Sequence, residues 1–434
     1  MLEIEISTNT WEDNSMKNIM KLTVAFLCII GMITGLSISS HAEGAASYEA
    51  TAPTKLTKEP KLDHGKVTIA WQYNAINSTD KVTYQLEVAL DEAFTKQYSV
   101  IDSETTTAVV SKEAFGENGG YVYMRVRAIC TDAQGTPHYS AYSDVSKYTF
   151  VKINKTNFPG LYKVLKDWKC YQETTSTVSE YKGKKLVRRY KKTFYLKVSE
   201  ENKDGWLDPS EINTVHMIQA SGYVSKTNET PKYKISSLKG LEYFSKLKAI
   251  SMWGYTEEKM VVNNPELELL DLITSAPKLI LKAPAVKNIE IYGGPTGTTG
   301  KLSSVQIDAP NVEDLVIDSP KKITSLKLSP MKNLKMINFN NIFLKNKTLN
   351  LNQYKNLKDA TITVTGFTTI DAGKCQKLQN VYCWASDHLS KINLKQCKNI
   401  KHVGSHSCPK LTSKKVILPK GKQKACKLNK GIWW

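Results

Sequence analysis

The sequence predicts a mainly β chain: a small two-sheet module, a short cap and a long solenoid of parallel coils. Three observations point there. Short runs of alternating apolar and polar residues fill 51–152, which is the period of half-buried strands. A fixed apolar register then recurs every 19 to 26 residues through 236–420. Finally, 41% hydrophobic and 23% charged residues in a chain of 434 are enough for packed cores and leave no case for wholesale disorder. Gly 23 and Pro 15 exclude collagen, and Cys 8 is too few for a disulfide-dense miniature scaffold. Lys+Arg 60 against Asp+Glu 41 gives a net charge of +19, a balance that invites anionic partners.

The N-terminus supplies an address. Leu22 to Leu36 is an uncharged, mostly apolar run preceded by Lys17 and Lys21 and followed by Ser40-His41-Ala42. That is the charged, apolar and small-x-small order of a secretory signal, here residues 1–42. The alternative is an N-terminal anchor, but about twenty residues are needed to span and this run is shorter. Glu3, Glu5, Glu12 and Asp13 have the wrong sign for such a signal, and a start at Met16 would remove them. No later stretch approaches eighteen apolar residues, so no further transmembrane anchor is expected. Export makes nucleic acid an improbable partner for the positive charge.

In 51–152 the runs Val67–Trp71, Val82–Val88 and Tyr121–Ala128 alternate as strands of two facing sheets do. The position of Trp71, the pattern Tyr123, Arg125, Val126, Ala128, the turn Asp91 to Phe94 and the run Ser140-Ala141-Tyr142-Ser143 together resemble a fibronectin type III module. The resemblance implies a spacer or binding module without catalysis.

Residues 155–235 open with an expected helix (Leu161, Val164, Leu165, Trp168) and a polar, lysine-rich insertion through about Lys192. Glu200 to Glu211 then matches a twelve-residue calcium loop. Glu200, Asn202, Asp204, Asp208 and Glu211 supply oxygens, Trp206 a backbone carbonyl and Gly205 the sharp turn. Glu200 in place of the usual Asp, and Pro209 at the start of the exiting helix, depart from the pattern. The two readings are an EF-hand-like cap with calcium as cofactor, or a loop that keeps the shape without the ion.

In 236–420 the leading apolar residues are Leu247, Leu267, Val286, Val312, Leu334, Leu357, Leu378 and Ile400. Fourth and sixth positions follow suit (Leu270/Leu272, Ile289/Ile291, Leu315/Ile317), and a second pair trails in most repeats (Leu279/Leu281, Val305/Ile307). This is a leucine-rich repeat solenoid, in which stacked units share one core that none could form alone. A calcium-type loop leading through Ile235–Phe244 into such repeats is similar to the secreted internalin and BspA-like proteins of Gram-positive bacteria. That resemblance implies adhesion or other protein binding at a bacterial or host surface, and no enzyme activity.

Positions 3, 5 and 7 of each repeat should face the concave side, because side chains alternate along a strand. Five of these 24 positions are acidic and none is Lys or Arg. The candidate protein-binding residues are therefore Trp253, Asp271, Glu290, Tyr292, Asp314, Asp318, Asp359, Tyr382 and Trp384. They pair an acidic surface, suited to a basic ligand, with the aromatic types that dominate interface hot spots. The competing reading is that solvated strands simply carry short polar residues.

From His388 onward there are twelve lysines and no acid. Lys410, Lys414, Lys415, Lys420, Lys422, Lys424, Lys427 and Lys430, the last of these in a basic tail over 421–434, are the candidate contacts to an anionic wall polymer or acidic lipid. A solvated end cap is the bland alternative. Gly293–Lys301 fails as a phosphate loop, because Pro295 takes the first Gly position and Leu302 that of the metal-binding hydroxyl. Cys375 and Cys397 should stack in neighbouring coils near disulfide distance, either bridged or as buried thiols. No nucleophile elbow, HExxH or CxxC occurs. The expectation is a secreted, non-catalytic binding protein, against a wall-associated structural protein retained by its basic end.

Overall fold

The structure, a computed structural model, describes residues 50–76, 80–96, 98–182, 185–198, 204–221, 231–294 and 300–428. The apolar run Leu22–Leu36 and its cleavage site, Glu200, Asn202 and Lys430 lie outside these residues.

The first two sheets come from the alternating runs of the N-terminal module. β1 (Leu62–Asp63), β2 (Lys66–Ala70) and β5 (Thr107–Ser111) form one sheet in the order β1-β2-β5. β3 (Lys81–Ala89), β4 (Ser99–Ser103), β6 (Gly119–Thr131), β7 (Pro137–Tyr139) and β8 (Ser146–Lys152) form the other, in which β8, β6, β3 and β4 run side by side and β7 pairs β6. Their inward residues share one core: Val67, Ile69 and Val110 from one sheet, Leu86, Val126 and Phe150 from the other. Trp71 is 4% exposed and meets Tyr84 edge-on at 5.4 Å between ring centroids.

On the opposite face of the second sheet lies a buried charge. Glu87, 4% exposed, accepts from Tyr98 Oη, Tyr142 Oη and Arg125 Nε, the last at 2.7 Å. Arg125 is sandwiched between Phe94 and Tyr142, 4.1 and 4.0 Å from the ring centroids. Burial alone would raise the Glu87 carboxyl, but Tyr142, Tyr98 and Arg125 outweigh it and hold the pKa below its ordinary 4.5. A depressed folded pKa contributes stability that is present above the unfolded value and lost as pH falls through the folded one. Melting of the chain from pH 7 to about pH 3 should therefore show a loss, beginning below the ordinary carboxylate value, that Glu87→Gln reduces. The variant itself costs about 1–3 kcal/mol at pH 7. Equal acid-side losses in both proteins would show that another group titrates.

The segment after the module is more extended than its sequence suggests. The expected helix is a single turn and a half, α1 (Tyr162–Lys166). The lysine-rich insertion is a hairpin, β9 (Cys170–Lys182) against β10 (Lys185–Lys197), in antiparallel register. Then come β11 (Trp206–Leu207), α2 (Pro209–Ile212) and β12 (Met217–Ala220). β11 pairs β8 antiparallel, Trp206 opposite Lys152 and Leu207 opposite Val151. Successive side chains of a strand point to opposite faces. Trp206 accordingly enters the core of the two-sheet module, while Leu207 enters the core of the solenoid. Two residues thus tie two hydrophobic cores together. Gly119, at φ +66°, makes room: a Cβ there would sit 2.0 Å from Phe150 O and 2.6 Å from the Trp206 ring.

The repeats build a long sheet. β13 (Ala249–Tyr255), β15 (Leu269–Thr274), β17 (Asn288–Tyr292), β19 (Asp314–Asp318), β21 (Met336–Asn340), β23 (Asp359–Thr363), β25 (Asn380–Trp384) and β27 (His402–His406) run parallel in that order. β12 precedes them and the β9–β10 hairpin extends the sheet at that end, which leaves lysine-rich β10 as its edge strand. Beyond 420, where the sequence suggests a tail, β29 (Cys426–Leu428) adds a further parallel strand beside β27.

The trailing pairs form two shorter parallel sheets. One holds β14 (Lys259–Val261), β16 (Lys278–Lys282), β18 (Ser304–Asp308) and β20 (Ser325–Leu328). The other holds β22 (Thr348–Asn350), β24 (Thr369–Asp371), β26 (Lys391–Asn393) and β28 (Val416–Ile417). The fourth and sixth positions of each repeat, such as Leu270/Leu272 and Leu315/Ile317, are wholly buried with Leu279, Leu281, Val305 and Ile307 in one continuous core. The solenoid the periodicity predicts is the architecture observed. No helix among the described residues is long and apolar enough to cross a membrane.

Candidate functional site

Parallel register turns the outward positions of the long sheet into three ladders. The first runs Ala249, Leu269, Asn288, Asp314, Met336, Asp359, Asn380, His402. The second runs Ser251, Asp271, Glu290, Val316, Asn338, Thr361, Tyr382, Gly404, and the third takes in Trp253, Ile273, Tyr292, Asp318, Asn340, Thr363, Trp384 and His406. From β15 to β25 these positions are half-exposed while their neighbours in sequence are buried, so the face the sequence assigns is the solvent face.

The acids gather at its centre. Asp271 and Glu290 stand directly opposite each other on β15 and β17, and Tyr292 stands opposite Asp318. Like charges directly opposite are unfavourable in a sheet, and no lysine or arginine of this face relieves them. Local donors hold the carboxylates instead: Ser251 Oγ to Asp271 Oδ2 at 2.7 Å, Tyr292 Oη to Glu290 Oε2 at 3.1 Å and Asn340 Nδ2 to Asp318 Oδ1 at 2.8 Å. Asn380 Nδ2 donates to Asp359 Oδ1 at 2.5 Å. Burial, and then the Glu290 charge, push the Tyr292 phenol up to about 12. Burial and the charges of Glu313 and Asp359 likewise raise the Asp314 carboxyl, partly offset by Lys335. Met336 separates Asp314 from Asp359.

Apart from Tyr292, which sits among the acids, the aromatics lie toward the two ends. Trp253 is on β13, whereas Tyr382 and Trp384 are on β25, six strand spacings or about 29 Å away. Trp384 is 43% exposed and tilts against His406, with ring centroids 6.5 Å apart. Tyr382 lies over Gly404, whose absent Cβ would come within 3.0 Å of its ring.

The described half of the calcium-type loop is built as a helix cap. Asp208 is the N-cap of α2: its Oδ1 accepts from Glu211 N at 3.0 Å and Ser210 Oγ at 2.7 Å, and Glu211 Oε2 reaches back to Asp208 N. Its Oδ2 accepts from Leu62 N at 2.7 Å, which tethers the loop to β1. Asp204 accepts from Trp206 N, and burial raises its carboxyl. The Trp206 side chain sits in the module core, which leaves its backbone carbonyl untouched. These residues do not come together as a metal-holding group among the described residues. The described half is thus engaged as a helix cap, while Glu200 and Asn202 lie outside the described residues.

Of the candidate lysines, 410, 414, 415, 420, 424 and 427 are exposed and Lys422 is half-buried. They surround the last coil around β28 and β29 rather than forming a free tail. Cys375 and Cys397 occupy equivalent buried positions as free thiols, donating to the carbonyls of Leu351 at 3.1 Å and Ala372 at 3.2 Å. Burial pushes them up to about 11 and about 12, which makes both poor nucleophiles at neutral pH.

One column escaped the sequence reading. The residue after each leading apolar position donates its backbone N–H to the same residue one coil earlier, giving the stack Lys248, Glu268, Lys287, Glu313, Lys335, Lys358, Gln379, Lys401. Its first part alternates in sign. Lys248 pairs with Glu173 and Lys287 with Glu268, each at 2.5 Å, and Lys335 pairs with Glu313. The signal lies at the second position of every repeat, where the charge pattern runs between coils and not along the chain.

No protein-family model matches the chain, and no curated protein matches it either. Among solved structures the chain is similar to the functional domain of InlJ from Listeria monocytogenes, which is described as including a cysteine ladder. The match has 12% identity and a TM-score of 0.22, and it covers 49% of this chain and 58% of that one.

Proposed function

We propose that the chain is a non-catalytic binding protein, exported, whose leucine-rich repeats hold a basic, extended protein segment on the exposed face of the long sheet, at a bacterial or host surface. The observation that carries this reading is the charge of that face. A protein of net charge +19 keeps 24 outward positions free of Lys and Arg and sets Asp271 against Glu290 at its centre. A strand-like segment of about nine residues spans the roughly 29 Å from Trp253 to Trp384. Its cations would meet the acids, with aromatic side chains at both ends. The N-terminal module then serves as a fibronectin type III-like spacer. Support comes from Trp71 in the core and from Ser140 and Ser143, whose Oγ atoms accept from Ala128 N and Val126 N.

The test uses a synthetic nine-residue peptide of alternating lysine and tyrosine, and its acidic counterpart, against the full chain. The basic peptide should bind, and Asp314→Asn with Asp318→Asn should weaken it about tenfold or more, as should Trp384→Ala. Unchanged binding in both variants sinks the proposal.

The second reading, a structural protein retained by its basic end, is favoured by the exposed lysines around the last coil. It requires salt-sensitive retention on anionic wall material with no preference between the two peptides.

A further inference from the structure

The column of residues that follows the leading apolar positions changes character half-way along the solenoid. From Lys248 to Lys335 it alternates in sign and closes ion pairs from coil to coil. Alternation is therefore available to this position and stabilises the stack. From Lys335 onward the same column reads Lys358, Gln379, Lys401, and the backbone bonds that stack it are unchanged at 2.7 Å each. A second column runs beside it, two residues before each leading position: Lys332, Lys355, Gln376, Lys398. Asn356 Nδ2 and Asn399 Nδ2 fix these turns by donating to Lys332 O and Gln376 O, at 2.8 and 3.0 Å.

Lys332, Lys355, Lys358, Lys398 and Lys401 are exposed. Asp359, the nearest acid in sequence to Lys358, is held by Asn380 on the neighbouring face. Adjacent coils lie about 4.8 Å apart, so lysines of one column are separated by about 5 to 10 Å along a straight row. Stacked like charges are unfavourable unless an outside anion neutralises them. A single small anion would answer one or two of these lysines. A row spread over four coils is matched by a chain of anions.

We propose that the turn edge formed by the coils from Lys332 to Lys401 is a docking surface for a linear phosphate-bearing polymer, laid across the coils with its phosphates against the two lysine columns. The site is separate from the acidic face, Lys410 continues it on the next turn, and it does not rest on the function proposed above.

Binding of the full chain to synthetic poly(glycerol phosphate) across a salt series tests this. The variant Lys355→Gln, Lys358→Gln, Lys398→Gln, Lys401→Gln should lose affinity on the order of a hundredfold and show a shallower salt dependence. A charge-matched control, Lys414→Gln, Lys415→Gln, Lys420→Gln, Lys427→Gln, should lose less than about threefold. The control measures what net charge alone does. Asp314→Asn with Asp318→Asn should leave polymer binding intact, which separates this surface from the peptide face. All three variants alter exposed or half-exposed side chains, and an unchanged melting temperature establishes that they fold. Equal losses in the two lysine variants would overturn the proposal in favour of net charge. Displacement by inorganic phosphate at the same phosphate concentration would overturn it in favour of a single-ion site. Binding to phosphatidylglycerol vesicles but not to the polymer would reassign the edge to a membrane, and no binding at all would refute it outright.

Discussion

Replacing Asp208 with Ala should destabilise the chain by about 2–4 kcal/mol, the sum expected from a lost helix cap and a buried amide deprived of its acceptor. Asp208 is 1% exposed and works in two directions. One oxygen caps α2 through Glu211 N, and the other holds Leu62 N of the N-terminal module. The substitution therefore weakens the cap and the seam to the module together, just beside the strand whose Trp206 and Leu207 enter separate cores. Asp208→Asn, which keeps one acceptor, should cost less. The measurement is the denaturant midpoint of each variant, taken once with chelator and once with millimolar calcium. The same loss in both conditions is expected from a cap. A loss that appears only with calcium present would return the loop to the role of an ion site.

That loop shows where sequence reading stops. Its oxygen-bearing spacing is real, but spacing states only which residues could turn inward together. Asp208 and Glu211 are equally the ingredients of a capping box, and Asp208 also accepts from the buried amide of Leu62, 146 residues away, a contact no local spacing announces. The solenoid was legible for the opposite reason. Leu270, Ile289, Leu315 and Ile337 are each near neighbours of their register partners in sequence, so a local period carries the tertiary contact. The acidic face followed from the same period, since alternation fixes which residues point outward. The hairpin Cys170–Lys197 was not legible, because its strands carry Thr, Ser and Lys where half-buried strands carry apolar residues. The lysine columns were written in the repeats but meant nothing until coils were stacked, since their charge pattern is one between neighbouring turns and not along the chain.

Stacking is also what Phe339→Ala should expose, at a cost of about 3–5 kcal/mol for a large side chain removed from a close-packed core. Phe339 is 1% exposed, in the middle of the solenoid, in register with Ile317 on one side and Ile362 on the other. Each coil of such an array rests on its neighbours alone, so a weakened coil loosens those beside it before the ends. Hydrogen exchange should show amides of β19, β21 and β23 losing protection while those of β3 and β6 keep theirs. Uniform loss across the chain would instead mean that the module and the solenoid unfold as one cooperative unit. The functional consequence follows from geometry. Trp253 and Trp384 are held about 29 Å apart only by the coils between them, and the acids lie on those coils. A ligand that touches both ends should therefore bind Phe339→Ala more weakly, although Phe339 points away from it. A ligand confined to the last coils should not register the change, so comparing the two measures how much of the face a bound partner uses.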